Sequence, residues 1–181
     1  MWHRFLLLSV AIAATAPAAG VGPAQAKQFL DLPAAQAVAV PGAQFTPQHF
    51  TLDRDPVAKI IGDSRAPVIN TDVKVWKVST GGWFFLDQVY GLDDRITYAL
   101  ALDETGAVTR IEILECAEGY EAVRDQEWLS GFYGARYSTS KFDVESISGS
   151  SLSSEHIKGG VKRLLSTHAL FLRDLSKSGR G

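Results

Sequence analysis

Hydrophobic and polar positions alternate through the centre of the chain. In Thr71 to Ser79 (TDVKVWKVS) the valines at 73, 75 and 78 fall among polar partners, and the apolar run Trp83 to Tyr90 (WFFLDQVY) follows after Thr80-Gly81-Gly82. A period of two predicts strands, and the glycines predict a hairpin turn between them. A second pair repeats the arrangement: Arg95 to Leu102 (RITYALAL), a turn at Asp103-Glu104-Thr105-Gly106, and Val108 to Leu114 (VTRIEIL). The turn chemistry again joins neighbours, so an antiparallel sheet of about four or more strands is expected. Consecutive strand residues face opposite sides, so one of Phe84 and Phe85 is expected to reach the second face, under a helix.

The flanks change period. Phe29 to Val40 suits a short helix stopped by Pro41-Gly42, and Asp53 to Ile61 suits another. After the strands, Val123 to Phe132 places Trp128, Leu129 and Phe132 at helical spacing. From about Ser154 to Leu175 the residues Ile157, Val161, Leu164, Leu165, His168, Leu172 and Leu175 recur at helical steps, predicting a long amphipathic helix with one face on the sheet. Strands followed by helices, with no internal repeat, indicate an α+β fold rather than a parallel α/β one. Ser176 to Gly181 reads as a frayed tail.

Composition narrows the function. Lys+Arg 18 against Asp+Glu 20 and a pI near 6.1 give no basic excess, so nucleic acid is not an expected partner. One cysteine, Cys116, excludes an intramolecular disulfide and a cysteine-rich metal site by counting, and it reads as a core residue. Residues 1–26 have a basic start at Arg4, an apolar run from Phe5 to about Ala14, and Ala24-Gln25-Ala26 at the end. That is the pattern of a secretory signal cleaved before Lys27, and its alanine-rich end points to a bacterial periplasm. The apolar run is shorter than the roughly 20 residues a bilayer core requires, so the cleaved product is not expected to span a membrane.

The chemistry concentrates just before the last helix, in Asp143-Val-Glu-Ser-Ile-Ser-Gly-Ser-Ser-Leu-Ser-Ser154. Small hydroxylated residues and a glycine leading into a helix N-terminus offer unpaired N–H groups and a positive dipole end, where a phosphate sits without any basic side chain. The alternative is a serine-rich loop in which Ser153 or Ser154 caps the helix and Glu155 favours the dipole from its first turn.

Glu145-Ser-Ile-Ser-Gly-Ser-Ser151-Leu-Ser-Ser154 followed by an amphipathic helix resembles the FMN-binding domain family, whose members include flavin-bearing components of the sodium-pumping NADH:quinone reductase and of the Rnf complex. The family pattern is roughly Asp-x-x-Ser/Thr-Gly-Ala-Thr/Ser, with FMN carried by the final hydroxyl through a phosphoester. Ser148 and Gly149 match it and Ser151 falls on the flavin-bearing position, while Glu145 stands for the usual Asp and Ser150 for the usual Ala. Gly91 to Leu114 is similar to the family's central hairpin. Glu115-Cys-Ala-Glu-Gly-Tyr-Glu121, with Arg124, Trp128, Phe132 and Gly134, is similar to a branch of single-domain members.

The chain thus divides into a signal peptide at 1–26, an N-terminal helical or extended segment at 27–70 and a tail at 176–181, with an FMN-binding domain implied by the resemblance at 71–175. The resemblance also implies an exported electron carrier with FMN on Ser151, loaded by a FAD:protein FMN transferase and exchanging electrons with a membrane or periplasmic redox partner. Ser148, Gly149, Ser150, Leu152 and Ser153 would surround the phosphate, and Glu118 to Tyr120 would lie near the ring, unless they form a plain structural turn. A flavin-free binding or scaffold module of the same fold, and an oxidoreductase holding FMN non-covalently, are the alternatives. A serine-hydrolase reading of His156 beside Ser153 and Ser154 fails on geometry and on the lack of a Gly-x-Ser-x-Gly elbow. His49, His156 and His168 have no metal-ligand spacing, and His168 continues an apolar stripe.

Overall fold

The computed structural model describes residues 26–92, 94–117, 121–137 and 144–173. Seven strands form one antiparallel sheet: β1 (Ala26–Gln28), β2 (Phe45–Pro47), β3 (Phe50–Thr51), β4 (Asp72–Val78), β5 (Trp83–Tyr90), β6 (Arg95–Leu102) and β7 (Val108–Ala117). Their order is β1-β7-β6-β5-β4-β2, with β3 also paired to β4. The four central strands are those of the alternating pattern, and β5 and β6 begin and end at the residues expected from it. The first strand pairs from Ala26↔Ala117 to Gln28↔Glu115, which closes the β7 edge. Between β6 and β7 the register slips at Thr97/Tyr98 and at Ala101/Leu102, so β7 runs longer than the strand it pairs with.

Four helices complete the described chain: α1 (Leu32–Ala39), α2 (Arg54–Ser64), α3 (Gln126–Ser130) and α4 (Ser151–Thr167). Asp31 caps α1 by accepting from Ala34 N–H at 2.8 Å, with Pro33 in the first turn. The helix expected from Val123 to Phe132 is broken in two. A 3₁₀ turn at Glu121–Arg124 precedes α3, which Asp125 caps by accepting from Trp128 N–H at 2.9 Å. The last helix also departs from expectation. It starts at Ser151 rather than near Ser154, and after Thr167 it widens into a π turn at His168–Leu172. Leu175 and the expected tail lie outside the described residues.

Each face of the sheet carries its own apolar layer. On one face Val75, Trp83, Phe85, Tyr98, Leu100 and Ile111 meet Ile157, Val161, Leu164 and Leu165 of α4, together with Leu129 and Phe132. On the other, Trp76, Phe84, Ala99, Ala101 and Leu114 meet Ala35 of α1. Phe84 and Phe85 are both fully buried and on opposite sides, as the alternation requires. Phe45 and Trp76 stand edge-on to Phe84, with centroids at 5.4 and 5.8 Å.

Candidate functional site

The site is built at one end of the sheet. Because neighbouring strands are antiparallel, the end of β5 at Tyr90, the start of β6 at Arg95 and the end of β7 at Ala117 share that end. The N-terminal half of α4 arrives there too: His156 Nδ1 lies 2.7 Å from Tyr90 O. A carbonyl only accepts, so this nitrogen carries the proton and the tautomer is fixed. Glu118 and Tyr120, expected near the flavin ring, lie outside the described residues.

The loop that enters α4 is a tight turn followed by a helix start. Ser150 N–H donates to Ile147 O at 3.0 Å, and Gly149 occupies the turn with φ +80°. That left-handed conformation selects glycine, and a Cβ there would meet nothing within 4 Å, so the backbone is open to an incoming group. Ser150 is the N-cap but makes no side-chain capping bond. The first intrahelical bond runs from Ser154 N–H to Ser150 O at 3.0 Å. The N–H groups of Ser151, Leu152 and Ser153 therefore precede the ladder and point out of the helix start.

Side-chain hydrogen bonds brace this loop. Trp128 Nε1 donates to Glu145 O at 2.8 Å. Ser146 Oγ donates to Glu155 Oε1, which also accepts from Lys158 Nζ at 2.7 Å. Lys158 and Ser146 together hold the Glu155 carboxyl below its ordinary value. Ser154 adds a further brace: its hydroxyl accepts from Ile147 N–H at 3.2 Å and donates to Ser151 O at 2.9 Å. This corrects the capping expectation: Ser154 sits inside the helix, and its hydroxyl is engaged by the loop rather than by a free helix-end N–H. Glu155 is likewise past the first turn, which contains no acidic residue. No local sequence signal identifies Trp128 as a brace, because its partner is 17 residues away.

Exposure sorts the sequence-predicted residues. Ser148, Gly149 and Ser151 face solvent and Leu152 is 46% exposed, whereas Ser150 (8%) and Ser153 (1%) are buried. The buried pair can serve a ligand only through the backbone. Ser151 presents the accessible hydroxyl at the first helical position.

The groups present suit a phosphate monoester: outward N–H donors, the positive end of a 17-residue helix, a glycine turn that leaves room and an exposed hydroxyl. Ser148, Gly149, Ser150, Ser151, Leu152 and Ser153 are the residues that could hold such a phosphate group. Among the described residues, no three or more His, Cys, Asp and Glu side chains converge as they would to hold a metal ion, and no helix is long and apolar enough to cross a membrane.

No curated protein matches the chain. Its second half does match a family model, and the matched span holds the hairpin β6–β7, the braced loop and nearly all of α4. Residues 91–166 match the family model of the FMN-binding domain, so this stretch of the chain is similar to that family.

Proposed function

We propose that the protein is an exported electron carrier with one FMN esterified to Ser151. The observation that carries the reading is the exposed Ser151 hydroxyl at the first position of α4, immediately after the Gly149 turn and inside the matched span. Bound FMN supplies the electron transfer, and the protein supplies retention and orientation. The backbone of Ser148 to Ser150 and the N–H groups of Ser151 to Ser153 receive the phosphate. The braces from Trp128, Glu155 and Ser154 keep that cradle in shape before the group arrives, which lowers the ordering required on attachment. A covalent link makes retention independent of affinity, which suits a protein working outside the cytoplasm. The signal-like residues 1–26 support export to a periplasm. A FAD:protein FMN transferase is the maturation partner, and a membrane or periplasmic redox protein is the electron partner.

Intact mass tests this directly. Produced with a FAD:protein FMN transferase, the wild-type chain gains one FMN less one water and Ser151→Ala does not. A colourless, unshifted wild-type protein overturns the carrier reading and favours the scaffold alternative. Yellow colour released entirely on denaturation favours non-covalent FMN, whereas the departures from the family pattern at Glu145, Ser150 and Ser151 support the flavin-free scaffold.

A further inference from the structure

Two adjacent serines with the same primary hydroxyl open α4 in opposite environments: Ser150 is 8% exposed and Ser151 faces solvent. The difference between them is one of register, and a single buried side chain holds that register. Ser154 is 0% exposed. Its Oγ accepts from Ile147 N–H at 3.2 Å and donates to Ser151 O at 2.9 Å, while its N–H donates to Ser150 O at 3.0 Å. Ser150 N–H returns to Ile147 O at 3.0 Å, so Ile147 is gripped at both backbone ends. Starting the helix one residue earlier or later breaks all of these bonds together.

Resting on the reading of Ser151 above, we infer that Ser154 is a positioning residue that decides which of the two hydroxyls accepts the flavin. In the attachment step Ser151 Oγ bonds to the flavin-side phosphorus of FAD. The bond from that phosphorus to the bridging oxygen breaks, AMP leaves with that oxygen, and the serine proton passes to solvent. Ser154 touches none of the reacting atoms. It acts through Ser151 O and Ile147 N–H, holding Ser150 inward as the cap and Ser151 outward.

The test uses the full chain produced with a FAD:protein FMN transferase, and reads the modified residue by peptide mass mapping. Wild type carries FMN on Ser151 alone. Ser151→Ala carries none, because in the locked register Ser150 stays covered. Ser151→Ala/Ser154→Ala acquires label on Ser150 that the single variant lacks, because both hydrogen bonds of the Ser154 hydroxyl are gone. Amide exchange at Ile147 speeds up in Ser154→Ala while the far-UV spectrum is kept. Label on Ser150 in Ser151→Ala alone overturns the role of Ser154 and leaves FMN attachment standing. An unlabelled Ser150 in a folded double variant does the same. The single variant decides the matter if the double variant does not fold. A wild-type chain that takes no flavin overturns both readings.

Discussion

Arg163 Nη2 lies 2.5 Å from Asp87 Oδ2, closing a charge pair between the middle of α4 and β5. Tyr98 OH donates to the same carboxylate oxygen at 2.9 Å, and Arg163 also donates to Pro67 O and to Gln88 O. Burial first, then the negative Asp87, push the Tyr98 hydroxyl well up from its ordinary value, so it remains a donor. Burial works against the Arg163 charge, but Tyr98 and Asp87 more than offset it. The network ties helix, sheet and the segment after α2 to one guanidinium.

Removing Arg163 leaves the part-buried Asp87 carboxylate without its cation, and removing Asp87 leaves the buried guanidinium without its anion. Arg163→Met is expected to lower unfolding free energy by about 3 kcal/mol or more. A double-mutant cycle with Asp87→Asn is expected to give a coupling above about 1 kcal/mol in urea denaturation. Strictly additive effects would show that the two residues act independently.

Adjacent glycines in α4 provide a steric contrast. A Cβ on Gly160 would stand 2.5 Å from Tyr98 Oη and 2.7 Å from Val89 Cγ1, whereas one on Gly159 would meet only Ala66 Cβ at 3.3 Å. Alanine gains roughly 1 kcal/mol of helix propensity at either position. Gly160→Ala is nevertheless expected to be destabilising by about 2 kcal/mol through overpacking, and Gly159→Ala to lie within about 0.5 kcal/mol of wild type. Equal melting temperatures for the two variants would contradict this placement of α4 on the sheet.

His168 makes stability depend on pH. Burial holds its imidazole down at about 4, with Arg173 adding to the depression and Asp103 opposing it. The unfolded chain takes up a proton near 6.5 that the folded chain refuses until about 4, so stability is full above the first value and falls as pH drops toward the second. The loss is at most about 3 kcal/mol. Urea midpoints measured at pH 7 and pH 4.5 are expected to converge in His168→Gln. An unchanged pH dependence in that variant would refute the assignment.

Gly149 isolates backbone strain from crowding. With φ +80° and open space around the Cβ position, Gly149→Ala meets no clash yet adopts a disfavoured conformation. A cost of about 1 kcal/mol is expected, and a smaller one for Gly149→Asn, which tolerates the left-handed region. Thermal denaturation of the two variants ranks them; Ala at or above Asn would rule out the turn.

Much of the fold is legible in the sequence because its signals are local. The start of β5 and the end of β6 are set by the turns at Thr80–Gly82 and Asp103–Gly106, and both are readable to the residue. The short strands β1, β2 and β3 escape such a reading, since two or three residues cannot display a period. The alternation ends β7 too early, at Leu114, because its irregular register with β6 breaks the pattern. Ser153 and Ser154 read as the caps, but Ile147 N–H takes the Ser154 hydroxyl and the helix starts earlier, behind Ser150. The loop motif is legible, whereas its Trp128 brace and the Arg163–Asp87 pair behind it are not, because these partners meet only after the chain has folded.

The central place of β5 in the sheet separates two notions of a domain. Its whole length pairs with β6, from Trp83↔Leu102 to Tyr90↔Arg95, and its side chains supply both apolar layers. A fragment cut at residue 91 would begin in the middle of the sheet, with the β6 edge unzipped along eight pairs and Arg163 deprived of its carboxylate. The stretch that sequence comparison recognises is thus smaller than the unit that folds, and a truncation designed on the match alone would yield an aggregating half-sheet.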